Sequence, residues 1–116
     1  MRILITEIAS NEVPNFTVIG KTLTIDNEVL DFTTIPLGAT VKADETDNKY
    51  FKGAEVDELG EITVSILFPY NATTFEKGKT IAKEIEVIEG VVNPYVEIIG
   101  GIKWKLLQKK IKTQHF

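Results

Sequence analysis

The side chains that enzymes use most often for nucleophilic and metal chemistry are scarce in this 116-residue chain. It has no cysteine, and its single histidine, His115, is the penultimate residue. Because chain ends are commonly poorly ordered, we do not expect His115 to act as a catalyst or a ligand. Nucleophile–histidine catalysis and nitrogen- or sulfur-ligated metals therefore lack their usual residues.

Two short patterns are similar to ligand loops, but each lacks a required glycine. Gly78-Lys79-Thr80 matches the end of a phosphate-binding loop, yet the position five residues before Gly78 is Thr73. A second pattern has calcium-loop spacing, but Lys49 occupies the place of the glycine that makes the sharp turn. Its four candidate ligands are Asp44, Thr46, Asn48 and Glu55. We predict an ordinary turn and a solvated acidic loop, and no metal or cofactor.

Paired carboxylates such as Asp57/Glu61 and Glu84/Glu86 are the remaining candidates for acid–base chemistry. Such chemistry needs two carboxyl groups at a defined separation across a cleft, whereas charges at turns and on outer strand faces commonly serve solubility. We favour the second role for both pairs. The sequence thus predicts no catalytic residue and a protein that is not an enzyme.

Charge is distributed unevenly along the chain. Residues 1–102 carry 8 basic and 17 acidic side chains, whereas residues 103–116 carry five lysines and no acidic residue. The body is therefore expected to repel nucleic acid. No apolar stretch approaches the roughly 20 residues of a membrane span, so we expect a soluble cytoplasmic product.

Turn residues divide the chain into short β-type runs. Phe16–Ile19 and Thr22–Ile25 flank Gly20-Lys21, which suits a type II′ turn, and Asp26-Asn27 tolerates the positive φ of a second turn. These runs predict a three-stranded meander over residues 15–33, which Pro36 and Gly38 then turn away.

A second hairpin is predicted over residues 50–68, around a turn at residues 57–61. Its returning strand alternates apolar Ile62, Val64, Ile66 and Phe68 with polar residues, and Pro69 is predicted to end it. Residues 81–88 are ambiguous, but their β-branched content favours a strand. We predict one mainly β domain over residues 1–101, a small antiparallel β-sandwich or barrel built from hairpins.

The basic segment 102–116 is treated as a separate tail. Ile102, Trp104 and Leu106 alternate with lysines as in a strand, but Trp104, Leu107 and Ile111 also lie along one side of a helix, which we favour. Nucleic-acid or membrane binding is disfavoured because the charge is modest and the apolar stripe is narrow. Trp104, Leu107 and Ile111 are therefore predicted to anchor the tail on a protein partner or a second copy.

Residues 24–40, Thr-Ile-Asp-Asn-Glu-Val-Leu-Asp-Phe-Thr-Thr-Ile-Pro-Leu-Gly-Ala-Thr, resemble a run found in small prophage proteins of unknown function encoded among phage tail genes. A second resemblance covers Gly53–Val56 and Gly60–Ala72, so the similarity spans about residues 23–72. The chain departs from the family's run at Asn27, where glycine is usual, at Leu37, and in a slightly longer turn over residues 57–59.

The resemblance implies a setting in phage tail production and assigns no catalytic or binding residue. We therefore expect a non-enzymatic phage protein that acts by protein–protein contact in tail assembly or as a minor tail component. Its expected location is the host cytoplasm during phage production, or the virion. The alternative is a small β module that binds a host surface glycan, with Tyr50, Phe51, Tyr70 and Tyr95 as stacking faces.

Overall fold

The computed structural model describes residues 1–71 and 78–97, and this part of the chain is mainly β. The predicted β class is confirmed. Its elements are eleven strands and one short 3₁₀ helix, Ala43–Glu45. The strands are β1 (Arg2–Ala9), β2 (Phe16–Ile19), β3 (Thr22–Ile25), β4 (Glu28–Asp31), β5 (Thr40–Lys42), β6 (Phe51–Val56), β7 (Ile62–Tyr70), β8 (Lys79–Ile81), β9 (Glu84–Glu86), β10 (Glu89–Val91) and β11 (Tyr95–Glu97).

The predicted meander forms the body of a four-stranded antiparallel sheet, here called sheet B, with the order β10-β2-β3-β4. Each of its two tight turns has a positive φ at the first loop residue, +60° at Gly20 and +56° at Asp26. This pattern fits type II′ geometry, whose twist matches that of the flanking strands. The Asp26 carboxylate also accepts the Asn15 backbone N–H at 2.9 Å.

The predicted second hairpin is confirmed as β6–β7, with Val56 opposite Ile62. Asp57 closes its turn by accepting the backbone N–H groups of Leu59 and Glu61, both at 2.9 Å. The hairpin belongs to a five-stranded sheet, sheet A, with the order β5-β6-β7-β1-β9.

One pairing in sheet A differs from the expected antiparallel arrangement. β1 and β7 run parallel over eight residue pairs, from Arg2 opposite Thr63 to Ala9 opposite Tyr70. Parallel neighbours need a long crossover, and residues 10–61, which include the whole meander, provide it. The other strand pairs are antiparallel, as the sequence predicted. The sequence did not indicate the parallel pair, because no turn signal links β1 to β7.

Pro69 does not end β7, which continues to Tyr70. The backbone N–H of Leu67 bonds to the Tyr50 carbonyl on the β6 side of the strand, and the N–H of residue 69 would point to the same side. Because β6 begins at Phe51, no β6 residue lies opposite position 69 to accept a backbone hydrogen bond. A proline at that position therefore removes no hydrogen bond from the sheet.

Residues 81–88 contain strands rather than a helix, as favoured. β9 joins the edge of sheet A beside β1, and β8 pairs with β11 in a two-stranded ribbon. The acidic segment 41–49, predicted as a loop, contains the end of β5 and the 3₁₀ helix. The helix is closed by the Lys42 backbone N–H, which donates to the Glu45 carboxylate at 2.9 Å.

The apolar faces of sheets A and B share one hydrophobic cluster. Phe16 of β2 reaches across it, with its ring centroid 6.0 Å from those of Tyr50 and Phe68, and Phe32 stacks on Phe51 at 6.3 Å. Sheet B contributes Phe16, Val18, Leu23, Ile25 and Leu30; sheet A contributes Ile3, Ile5, Phe51, Ala54, Val56, Ile62, Val64 and Ile66. Among the described residues this makes one core.

The predicted boundary between a domain at 1–101 and a tail at 102–116 lies outside the described residues, as does the helix favoured for the tail. Within residues 1–71 and 78–97 there is no helix with the length and apolarity that a bilayer span requires.

Replacing Phe16 tests the shared core. Phe16 is 1% exposed and contacts aromatic rings outside its own sheet, so Phe16→Ala should lower the free energy of unfolding by about 3–5 kcal/mol. Ile19→Ala is the matched control on the same strand, because Ile19 is 62% exposed; its cost should be about 1 kcal/mol or less. Urea denaturation measures both, and equal losses would contradict the shared core.

Candidate interaction surface

The partner-binding residues predicted from the sequence, Trp104, Leu107 and Ile111, lie outside the described residues, and so does His115. Lys79 and Thr80 belong to strand β8 rather than to the start of a helix. A phosphate-binding loop needs a helix N-terminus at that point, so the strand agrees with the ordinary turn that the sequence predicted.

The residues with calcium-loop spacing are not gathered around one point. Asp44 lies in the 3₁₀ helix and Glu55 in β6. The Asn48 side-chain oxygen accepts the Tyr50 backbone N–H at 3.0 Å, while its amide group donates to Glu28 at 3.0 Å. In residues 1–71 and 78–97 no three His, Asp or Glu side chains are grouped so that they could hold a metal ion.

The outer face of sheet B presents apolar side chains to solvent. Strand register places Val91, Thr17, Thr24 and Val29 in one row across its four strands, and Glu89, Ile19, Thr22 and Asp31 in the next row. These eight residues are called the Val–Thr face. Val91, Ile19 and Val29 are 65%, 62% and 61% exposed.

Strand alternation explains why this face exists. In each strand of sheet B the residues between these positions point into the core, as do Val18, Leu23 and Leu30. Threonine, valine and isoleucine favour the strand conformation on whichever face their side chains lie. Their strand propensity therefore does not require that the outer face of sheet B be covered by another element. Sequence reasoning missed the face because β10 follows β9, and only the pairing of β10 with β2 brings Val91 beside Thr17.

The charges on sheet B are all of one sign. Its strands contain Glu28, Asp31 and Glu89 and no lysine or arginine, and Lys21 lies in the β2–β3 turn. Register places Asp31 and Glu89 on the Val–Thr face and Glu28 on the opposite side of the sheet. The backbone N–H of Thr33 and then its hydroxyl bond to Asp31 and hold the pKa of that carboxyl below its usual range. The face therefore combines exposed apolar side chains with acidic residues on its two edge strands, β4 and β10.

The outer face of sheet A has a different character. Register places Arg2, Lys42, Glu55, Glu84 and Glu86 on it, so both signs are interspersed. Arg2 Nε lies 3.8 Å from a Glu84 carboxylate oxygen. Mixed charge of this kind is typical of a solvated surface and gives little attraction for a partner of either sign.

Two of the concave regions in the described part of the molecule lie on or beside sheet A. One, of about 360 Å³, lies over Gly53 and Ser65 on sheet A, and the other, of about 210 Å³, lies near Arg2, Lys21 and Glu61. Ligand pockets usually combine an apolar lining with a few fixed polar groups. Both depressions are lined by partly or fully exposed polar side chains, and no polar or charged side chain is buried among the described residues.

A polar cluster ties two loops together at the end of the fold. The Glu12 carboxylate accepts the Tyr50 hydroxyl and also Lys49 Nζ, the latter at 2.7 Å. Lys49 Nζ lies 5.4 Å from the centre of the Tyr50 ring, a cation–π distance. The cluster links loop 10–15 to loop 46–50, while Tyr50 itself packs against Phe16.

Titration of the three groups is coupled to these bonds. The bond from Lys49 and then that from Tyr50 lower the pKa of the Glu12 carboxyl. The bond to Glu12 raises the pKa of Lys49. Burial raises the pKa of the Tyr50 phenol, and its bond to Glu12 adds to that shift. All three groups have partners within the cluster, which is the pattern of a structural clamp rather than of a poised acid or base.

Burial changes the interpretation of the aromatic residues considered for glycan stacking. Tyr50 and Phe51 are 8% and 2% exposed, so their rings are not open platforms. Tyr70 and Tyr95 are only half-buried, but both pack against the core, and the Tyr95 ring contacts Phe68 at 5.8 Å. Packing in the core thus accounts for these four aromatic residues, for which composition alone also allowed a role in stacking on a glycan.

No protein-family model matches this chain, and neither curated protein sequences nor solved structures give a match. The class of protein is therefore defined by the structure: a small, mainly β protein whose described surface offers an exposed apolar sheet face with acidic residues on its edge strands.

The Glu12 cluster gives a pH-dependent stability. Because the folded-state pKa of Glu12 is lowered, its carboxylate stabilises the fold at pH values above the unfolded-state pKa of about 4.3. This stabilisation is lost as the pH falls through the folded-state pKa. The pKa values of Lys49 and Tyr50 are raised, so the stability that these two groups contribute is lost only as the pH rises beyond about 10. Glu12→Gln should therefore be less stable than the unchanged chain at pH 7, and this difference should shrink at pH 3.

Denaturant midpoints at both pH values measure this difference. Asp31, whose pKa is also lowered, is present in both proteins and cancels from the comparison. A difference between the two proteins that stays constant from pH 7 to pH 3 would contradict the assignment to Glu12.

Proposed function

We propose that this chain is a non-enzymatic phage or prophage protein that acts by protein–protein contact, in tail assembly or as a minor tail component. The observation that carries the proposal is the Val–Thr face. Three large apolar side chains, each more than 60% exposed, lie on one face of four hydrogen-bonded strands. Contiguous exposed apolar patches on small proteins commonly mark sites of contact with other macromolecules.

The setting in phage tail production comes from the resemblance over residues 23–72, which include β3, β4, β6 and β7. The family's turn and strand residues support a shared fold more directly than a shared surface. The proposed location is the host cytoplasm during phage production, with incorporation into the virion for a minor tail component.

A finer architecture accompanies this proposal. Two sheets around one core support a small β-sandwich as the rigid body. The segment 102–116 is proposed to be a basic amphipathic helix whose Trp104, Leu107 and Ile111 anchor a protein contact. The chain then carries two contact elements, the Val–Thr face on the body and the apolar stripe of the tail.

Mass spectrometry of purified phage particles tests the proposal, with a matched lysate from the same induction. Peptides of this chain at a fixed stoichiometry in particles are expected for a tail component. Their absence from particles, combined with loss of tails when the gene is deleted, is expected for an assembly factor. Normal tails without the gene would contradict both roles.

Complementation of that deletion tests the surface itself. Val29→Lys places a charge on the Val–Thr face and should reduce the yield of complete tails at least about tenfold. Leu59→Lys is the control, since Leu59 is 86% exposed in the β6–β7 turn and is not part of the Val–Thr face. Thermal melting of both variants separates a contact defect from unfolding, and equal yields would contradict a role for the face.

A further inference from the structure

The Val–Thr face calls for a partner that offers both apolar and cationic groups. Ile19 lies on the middle strand β2, and each edge strand pairs an exposed valine with an acidic residue, Val91 with Glu89 on β10 and Val29 with Asp31 on β4. An acidic or purely polar partner would leave these apolar side chains badly matched or face repulsion from the acidic residues. A lysine-rich segment with a few large apolar residues satisfies both requirements.

The chain itself contains such a segment. Residues 102–116 hold Lys103, Lys105, Lys109, Lys110 and Lys112 with no acidic residue, and their large apolar side chains include Trp104, Leu107 and Ile111. Lysine stems can cover apolar surface while their ammonium groups stay near carboxylates and water. Charge and apolar content of the segment are thus complementary to those of the face.

We infer that the Val–Thr face binds the 102–116 segment of a second copy of this chain. The inference rests on the proposed function, since it names the first partner of the contact surface described there. Each chain then supplies one face and one segment. Two chains that exchange segments form two identical contacts, which doubles the area buried compared with a single contact and closes the assembly.

The position of β11 favours a second copy over the same molecule. The Tyr95 ring contacts Phe68, which contacts Phe16, so β11 lies on the core side of sheet B. The Val–Thr face is on the opposite side of that sheet. Only residues 98–101 separate β11 from Ile102, which gives a reach of about 17 Å when extended. A segment from another molecule does not have to pass around the sheet edge within that length.

Sedimentation of the full chain over a range of concentrations tests the inference, because Trp104, the only tryptophan, reports on the segment at the same time. The expected result is a mass of at least twice the 13.0 kDa chain at high concentration. The Trp104 emission should shift to the blue in parallel with the mass, because the indole leaves water when the segment is bound.

Two full-length variants change the two partners separately. Val29→Lys on the face and Leu107→Asp on the segment should each weaken the association at least about tenfold. Glu89→Lys should weaken it about two- to fivefold, as expected for one exposed charge pair. The controls are Leu59→Lys, outside the Val–Thr face, and Thr113→Asp, which adds the same charge to the segment outside its apolar residues; both should associate nearly as the unchanged chain does.

Three results would overturn the inference. A monomer at every concentration with a blue-shifted Trp104 would place the contact within one molecule. Association that Val29→Lys abolishes but Leu107→Asp leaves intact would mean that the face binds a different surface of the second copy. Association that neither variant changes would exclude both elements.

These outcomes are distinguishable from failure of the proposed function. A monomeric chain whose gene is still required for tails overturns the self-association and leaves the phage role standing. A chain that associates as described but is dispensable for tails overturns the phage role and leaves the self-association standing.

Discussion

The parallel pairing of β1 with β7 is the constraint on which the rest of the structure depends. Eight consecutive residue pairs join the first strand of the chain to a strand that begins at Ile62. β7 also holds β6, and β1 also holds β9, so this one pairing connects the strands of sheet A. Without it the alternating apolar residues of β7, such as Val64 and Ile66, would have no continuous sheet to complete.

Sheet B depends on that platform. Its inner side chains are covered only because sheet A presents an apolar face opposite them, with Phe16 in contact with Tyr50 and Phe68. A sheet of four short strands has two faces, and one core can bury only one of them. Among the described residues no element packs on the other face, so valine and isoleucine remain exposed where strand propensity has placed them.

This division leaves the described part of the molecule with an exposed apolar sheet face. Its clearest polar cluster, Glu12 with Lys49 and Tyr50, consists of groups that satisfy one another and fix two loops. Its concave regions contain no buried polar side chain. By contrast, the Val–Thr face combines exposed apolar side chains with acidic residues on one hydrogen-bonded sheet.

Local chemistry in the sequence determined the hairpins. Gly20, Asp26 and the Asp57–Gly60 turn specify their own geometry, and the alternation along β7 specifies its buried face, because both depend on near neighbours in the chain. Tertiary structure alone decided that β1 pairs in parallel with β7, that β7 continues through Pro69, and that β10 joins β2 to complete the Val–Thr face. These features depend on which strands pair although they are far apart in the sequence. Strands with the same alternation of apolar and polar residues can pair in several ways, and only the packing of one shared core decides between those pairings.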